Sequence, residues 1–131
     1  MKYLIDTHTF IWFNEGNTQL SKVARQLIEN PNNEIYISIA SLWEISIKVA
    51  LKKLEIAGSY ESVLDDVTNA HIKILPIEFN HTVGVNKLPL VHKDPFDRMI
   101  VSQALYEQLD LLSGDDNLDP YFNQTGFSRI W

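Results

Sequence analysis

Short apolar runs alternate with longer helical patterns along this chain. Residues 2–6 predict a short strand that ends at an acid. Residues 20–29 predict a helix, since their apolar positions follow a spacing of three, one, three and one. The turn at 30–33 then leads into a β-rich run, Glu34 to Ser38. This first quarter therefore contains a strand, a helix and a second strand.

The alternation continues to the last residues. Residues 39–53 predict a helix that is apolar on most sides and therefore well buried. We expect further helices over 59–70, 79–86 and 95–108, and short strands over 73–77, 110–112 and 127–131. Strands that alternate with helices indicate an α/β fold, with a central, mainly parallel sheet flanked by helices.

Length and composition favour one soluble domain. The chain has 131 residues, 45% of them hydrophobic, which suits a single domain over 1–131 with a real core. No apolar run is long enough to span a membrane, and the N-terminal run is too short for a signal peptide. The absence of cysteine excludes disulfides and thiolate metal sites. We expect a cytoplasmic protein.

The charge balance limits how the protein could meet nucleic acid. A formal net charge of −6 argues against sequence-independent attachment through many Lys and Arg contacts. A nucleic-acid enzyme remains open, because acidic metal ligands are neutralised when the cation binds. The acidic balance also suits a basic partner.

Two acids follow predicted strands. Asp6 ends the first strand, and Asp115 follows the strand at 110–112 through Ser113 and Gly114. Ligands of parallel sheets bind at the carboxyl ends of the strands, so both acids are candidates for one site. Asp6 fits a helix N-cap equally well, and Asp115, with its neighbour Asp116, fits an acidic turn.

Glu44 lies inside the apolar stretch of the helix predicted at 39–53. It shares a helical stripe with Ser41, Lys48 and Lys52, and Glu44 with Lys48 makes a favourable pair four residues apart. This stripe either faces bulk water or lines a cleft.

Two further acids begin the helix predicted at 95–108. Asp94 fits an N-cap, because Pro95 at the first helical position loses no hydrogen bond. Asp97 is in phase with Ile100 and Val101 on the core-facing side, where an unpaired carboxylate is expensive unless a cation compensates it. We therefore favour Asp97 over Asp94 as the functional acid.

The four acids together suit Mg²⁺ or Mn²⁺, which prefer oxygen ligands. Crowded carboxylates without a cation should have raised pKa values. A bound cation polarises a phosphoryl oxygen and activates water, which permits phosphodiester hydrolysis without a protein nucleophile. Supporting candidates orient water or a carboxylate through a hydroxyl, or contact phosphate; they are Thr7, Ser113, Lys48 and Arg98. Arg98 fits a plain surface residue equally well, and His8 is a further candidate ligand.

Four segments of the chain resemble the PIN-domain ribonucleases, particularly the toxins of VapBC-type toxin–antitoxin modules. The most specific is Asp94-Pro95-Phe96-Asp97-Arg98, and the resemblance extends over essentially the whole chain. The four segments are Tyr3 to His8, Ser41 to Ile45 with Lys48, His92 to Ile100, and Leu111 to Asp115. Ser113 stands where threonine is usual in that family, and a hydroxyl is retained.

The resemblance implies a parallel sheet between helices and a Mg²⁺- or Mn²⁺-dependent endoribonuclease acting on RNA. It implies metal ligation by Asp6, Glu44, Asp97 and Asp115, with Ser113 assisting. It also implies a homodimer, inhibited by a small cognate antitoxin whose C-terminal segment lies over the active site.

Two other functions compete with this one. A haloacid-dehalogenase-type phosphatase also begins with a strand that ends in Asp, but it needs a second Asp two residues on, where this chain has His8. A non-catalytic binding module of the same fold would use the site only to dock a partner.

Overall fold

The computed structural model describes residues 1–131, and its strands form one parallel sheet. The strands are β1 (Lys2–Ile5), β2 (Glu34–Ser38), β3 (Lys73–Leu75), β4 (Asp110–Leu112) and β5 (Arg129–Ile130). Their order is β3-β2-β1-β4-β5, and every pairing is parallel. The predicted α/β fold with a parallel sheet is confirmed.

Six α-helices and two short 3₁₀ helices connect the strands. The α-helices are α1 (Thr7–Glu15), α2 (Lys22–Glu29), α3 (Ile39–Ala50), α4 (Val63–Asn69), α5 (Phe79–Lys87) and α6 (Pro95–Tyr106). The 3₁₀ helices are Tyr60–Ser62 and Asp116–Phe122. The sequence pattern predicts all of these except α1 and the helix Asp116–Phe122. No helix combines the length and the apolar character that crossing a membrane requires.

The sheet has an apolar core on each face, which makes the fold three-layered. Side chains alternate along β1, so Tyr3 and Ile5 enter one core and Leu4 enters the other. The first core is covered by α1, α2, α3 and α4, and the second mainly by α6 and the helix Asp116–Phe122. A central strand buried on both faces is continuously apolar, as the run from Tyr3 to Ile5 is.

The direction of chain winding reverses between β1 and β4. The chain passes from β1 to β2 on one side, whereas β4 and β5 extend the sheet on the other. Ile5 pairs with Leu112, so the residues that follow both strands meet at one edge. Such a reversal leaves a crevice at the carboxyl ends of the strands, where ligands bind in open α/β sheets.

The expectation that the helix at 39–53 is well buried is wrong. Only one side of α3 is covered, and its opposite side presents an exposed stripe of apolar residues. Trp43 is 61% exposed and contacts Phe96 edge-on, with the ring centroids 5.3 Å apart. The stripe consists of Ile39, Trp43, Ile47 and Leu51.

Candidate active site

Asp6 combines a structural and a site-facing contact. It is the N-cap of α1, and its Oδ1 accepts hydrogen bonds from the Thr9 backbone N–H at 2.9 Å and the Thr9 hydroxyl at 2.6 Å. Its Oδ2 accepts from the Ser113 hydroxyl at 2.5 Å, across the gap between β1 and β4. The N-cap interpretation is confirmed, and it leaves Oδ2 at the sheet edge.

Glu44 is buried, with 7% of its surface exposed. The Thr7 hydroxyl donates to its Oε1 at 2.6 Å, and Lys48 Nζ lies 2.8 Å from its Oε2. The predicted pair between Glu44 and Lys48 is therefore present, but at Glu44 the stripe does not face bulk water. Thr7 directly follows Asp6, so this contact brings α3 to the carboxyl end of β1.

The two acids that begin α6 have separate roles. Asp94 is the N-cap, since its Oδ1 accepts from the backbone N–H groups of Phe96 at 2.8 Å and Asp97 at 3.2 Å. Asp97, one turn into the helix, leaves its carboxylate without such a backbone donor. The preference for Asp97 over Asp94 as the site acid is consistent with this geometry.

Ser113 links the acids that follow β1 and β4. Its hydroxyl donates to Asp6 and accepts from the Asp115 backbone N–H at 3.1 Å. Asp115 caps the helix Asp116–Phe122 through Oδ1, which accepts from Asn117 at 3.0 Å. Its Oδ2 is left free for the site, whereas the neighbouring Asp116 is exposed.

His92 joins the acids although the sequence analysis did not select it as a site residue. Its Nε2 lies 3.3 Å from Asp115 Oδ2 and 3.6 Å from Asp97 Oδ2, and ligand atoms of the three residues lie within 4.8 Å of one another. Its only sequence signal is its position two residues before the N-cap Asp94. We call His92, Asp97 and Asp115, together with Asp6 and Glu44, the acidic cluster.

The tautomer of His92 follows from its other ring nitrogen. Nδ1 accepts a hydrogen bond from the Asp94 backbone N–H at 3.1 Å. A neutral imidazole that accepts at Nδ1 carries its proton at Nε2. Nε2 therefore carries the proton and lies 3.3 Å from Asp115 Oδ2 and 3.6 Å from Asp97 Oδ2, and a neutral ring protonated there offers no Nε2 lone pair to a metal. The candidate ligand atoms that remain are the carboxylate oxygens of the acids.

The electrostatics of Asp97 reflect this crowding. The pKa of Asp97 is raised to about 7, mainly by burial and then by the carboxylates of Asp94, Asp6 and Glu44, while His92 opposes the shift. Carboxylates that lie this close repel one another, and a bound divalent cation would relieve that repulsion. The donor atoms are oxygens, which suits Mg²⁺ or Mn²⁺. The residues present thus fit the metal that the family resemblance implies.

Arg98 is a structural residue in this fold. It is 9% exposed, so the interpretation as a plain surface residue is wrong. Its guanidinium donates to the carbonyls of Val85, Leu88 and Pro89 at 3.0, 3.3 and 2.8 Å and to Tyr121 Oη at 3.2 Å. These bonds occupy the groups that would bind phosphate, so we assign Arg98 to holding the segment before α6.

Two clefts flank the acidic cluster. One, of about 280 Å³, is lined by Asp6, His8, Trp12, Gly114 and Asp115. The other, of about 470 Å³, is lined by Val91, His92, Lys93, Asp116, Asn117 and Pro120. His8 is exposed on α1 and contacts Trp12, with the ring centroids 5.6 Å apart, so it lies in the wall of the first cleft.

Comparison with known sequences and structures adds one family and one fold. A family model described as the PIN domain matches residues 3–122. The comparison with curated proteins gives no match.

Several solved structures share the fold at low sequence identity. VapBC2 from Rickettsia felis, bound to a DNA fragment from their promoter, matches with a TM-score of 0.71 at 19% identity, over 100% of this chain and 99% of that one. A toxin–antitoxin complex from Klebsiella pneumoniae matches with a TM-score of 0.62 at 18% identity, over 98% and 96%. VapBC-5 from Mycobacterium tuberculosis, of the VapBC toxin–antitoxin family, matches with a TM-score of 0.64 at 16% identity, over 98% and 98%.

Proposed function

The chain belongs to the PIN-domain family, and from that premise we propose that it is a Mg²⁺- or Mn²⁺-dependent endoribonuclease. We assign it the role of the toxin in a type II toxin–antitoxin system. The observation that carries this proposal is the convergence of acids from β1, α3, α6 and β4 at one sheet edge, with the pKa of Asp97 raised to about 7. The toxin role is supported by the shared fold with structures of toxin–antitoxin complexes.

The proposed ligands of the divalent cation are Asp6, Glu44, Asp97 and Asp115. When bound, such a cation polarises a phosphoryl oxygen and lowers the pKa of a water molecule, which is the chemistry that phosphodiester hydrolysis needs. The side chains of the protein orient the proposed ligands. The Ser113 hydroxyl holds Asp6 Oδ2, and the Thr7 hydroxyl holds Glu44 Oε1, so two of the acids are fixed in direction.

Lys48 and His92 interact with the carboxylates of the acidic cluster. Lys48 neutralises Glu44 at 2.8 Å while no substrate is present, and we propose that it turns toward a phosphate when RNA binds. His92 Nε2 lies 3.3 Å from Asp115 Oδ2 and 3.6 Å from Asp97 Oδ2, and we propose that its N–H orients the nearer carboxylate, that of Asp115. Asp94 supports the site indirectly, because it caps α6 and donates its backbone N–H to His92.

The test is cleavage of structured and unstructured RNAs by the purified protein with Mg²⁺ or Mn²⁺, and with EDTA. We expect metal-dependent cleavage that falls at least about a hundredfold in Asp97→Asn, since the electrostatic stabilisation of a transition state is worth that much. Asp116→Asn is the matched control, because it removes an exposed carboxylate next to Asp115 and should retain activity.

The two alternative functions, a binding module and a phosphatase, predict different results with the same purified protein. A binding module would bind Mn²⁺ and a partner but leave every RNA intact. A phosphatase would form a covalent aspartyl-phosphate at Asp6, detected by mass spectrometry after incubation with a phosphate monoester. Either outcome, with no RNA cleaved, would count against the nuclease.

The proposal includes a homodimer and a cognate antitoxin that covers the acidic cluster. The exposed apolar stripe of α3 supports a protein partner on that face, since contiguous exposed apolar side chains mark interaction surfaces. Light scattering of the purified protein measures its mass in solution directly. A monomer at all concentrations would contradict the homodimer.

A further inference from the structure

We propose that the cleft between His8, Trp12 and the acidic cluster, defined above by its five lining residues, is a stacking subsite for one nucleobase of single-stranded RNA. This inference rests on the proposed nuclease function and names how that site holds its substrate. We call this cleft the aromatic cleft.

Two aromatic rings, those of His8 and Trp12, line the aromatic cleft, and the ring of Trp131 contacts Trp12. His8 and Trp12 lie one helical turn apart on α1, with ring centroids 5.6 Å apart and planes tilted by 45°. Trp131 packs behind Trp12 at 5.8 Å, tilted by 57°. His8 is exposed and Trp12 is half-buried, so part of each ring surface is available to a ligand.

Gly114 fixes the rear of this wall. A Cβ at this position would lie 3.1 Å from Cε2 and 3.2 Å from Cζ2 of the Trp131 indole, closer than ordinary packing allows. The missing side chain therefore lets Trp131 lie against the backbone that leads from β4 to Asp115. Trp131 in turn supports Trp12, so the stacking surface is held in place beside the acids.

The chemistry of the lining favours a base over a phosphate. The five residues that line the aromatic cleft include no Lys or Arg, and its only acids, Asp6 and Asp115, are proposed to ligate the cation. What remains is the aromatic surface of His8 and Trp12. Bases of single-stranded nucleic acid stack on such surfaces, and each contact is worth about 5- to 150-fold in affinity.

The size of the aromatic cleft suits one base. Its volume of about 280 Å³ is at the small end of ligand pockets and is open along one side. Asp6 and Asp115 belong both to this cleft and to the acidic cluster. A base stacked on Trp12 would therefore place its own phosphate, or the next one, at the cluster. The inferred role is to position the phosphodiester that is cut.

The experiment uses short RNAs from which one base is removed at a time. Tetraribonucleotides, intact or with a single abasic position, are titrated in Mg²⁺ into Asp97→Asn protein, and binding is followed by anisotropy of a terminal dye. We expect one abasic position to weaken binding about tenfold. In a Trp43→Phe background, the intact RNA should also quench the fluorescence of Trp12 and Trp131.

Trp12→Leu separates stacking from a folding defect. This variant should lose the preference for the intact RNA while binding the abasic RNA as before, whereas a misfolded protein would bind both less well. Trp43→Leu is the matched control, since its indole contacts Phe96 on α3 and is not part of the cleft. It should keep the full preference.

Several results would overturn the subsite. They are equal binding of intact and abasic RNAs, a preference that survives Trp12→Leu, no detectable binding, and quenching by an arginine-containing peptide but not by RNA. Cleavage by the wild-type protein is measured separately. Metal-dependent cleavage, with equal binding of intact and abasic RNAs, would retain the nuclease and reject the subsite. Tighter binding of the intact RNA, without any cleavage, would retain the subsite and reject the nuclease.

Discussion

At the residue scale, Asp97 links the acidic cluster to the stability of the metal-free protein. Its pKa is about 7 in the folded protein against 3.8 for an ordinary Asp, so the folded state binds more protons between these values. Stability then falls as pH rises from about 4 to about 7 and changes no further above that range. Stability is lost because Asp97 must ionise in a half-buried place close to other carboxylates.

Replacing Asp97 tests this directly. Without metal at pH 8, Asp97→Asn should melt at least about 4 °C higher than the wild type, because the half-buried charge is removed. At pH 4 the two melting temperatures should nearly coincide. Thermal unfolding followed by circular dichroism measures both. Asp116→Asn, which removes an exposed charge outside the cluster, should show no such pH-dependent gain; an equal gain would contradict the assignment to Asp97.

The sequence predicted which acids lie together, whereas it did not predict that His92 lies beside them. Asp97 is in phase with Ile100 and Val101, and that periodicity alone distinguishes it from the N-cap Asp94. His92 precedes α6 in a segment without periodicity. Its ring accepts a hydrogen bond from the Asp94 N–H and lies beside Asp115, a residue that follows β4 and that only the folded chain brings close.

At the element scale, α5 and α6 approach closely where Gly84 faces Ser102. A Cβ on Gly84 would lie 2.1 Å from the Ser102 hydroxyl oxygen, which donates to the His81 carbonyl at 2.7 Å. The packing of the two helices therefore depends on a missing side chain.

A double-mutant cycle reports this contact. Gly84→Ala should destabilise the wild type by about 1–3 kcal/mol through overpacking. In a Ser102→Ala background the same change should be neutral or stabilising, since the clash is gone and alanine favours helix by about 1 kcal/mol over glycine. Urea unfolding of the four proteins gives the coupling. Equal effects in both backgrounds would exclude the contact.

Arg98 ties the segment between α5 and α6 to the rest of the fold. Arg98→Met should cost about 3 kcal/mol, because the partly buried carbonyls of Val85, Leu88 and Pro89 lose their hydrogen bonds to the guanidinium. Urea unfolding measures this loss. Arg25→Met, which removes an exposed pair with Glu29 at 3.5 Å, should change stability by less than about 1 kcal/mol.

The sequence pattern predicted the strands and the other five α-helices but missed α1. In α1 the apolar residues Phe10 to Phe13 are consecutive, so no single face is distinguished. Its ends do carry signals: Asp6 caps the start, and Gly16 ends the helix with φ of +67°. The helix Asp116–Phe122 contains Pro120 and was concealed by the acidic turn that begins it.

At the scale of the whole molecule, the proposed ligands come from β1, α3, α6 and β4, so a bound cation should stabilise the entire fold. Mn²⁺ at a hundred times its Kd should add about 2.7 kcal/mol. The gain should be larger at pH 8 than at pH 6, since Asp97 has to lose its proton to ligate. Melting curves with and without Mn²⁺ test this, and an undiminished gain in Asp97→Asn would contradict it.

The pairing of β1 with β4 sets when the site comes into being. The hydrogen bond from Ser113 to Asp6 joins residues 107 positions apart in the chain. Synthesis at about 5–20 residues per second leaves Asp6 outside the ribosome for several seconds before Ser113 follows. During that time the acids have no common edge to gather at. The proposed nuclease site is therefore incomplete until β4 has emerged from the ribosome and inserted beside β1.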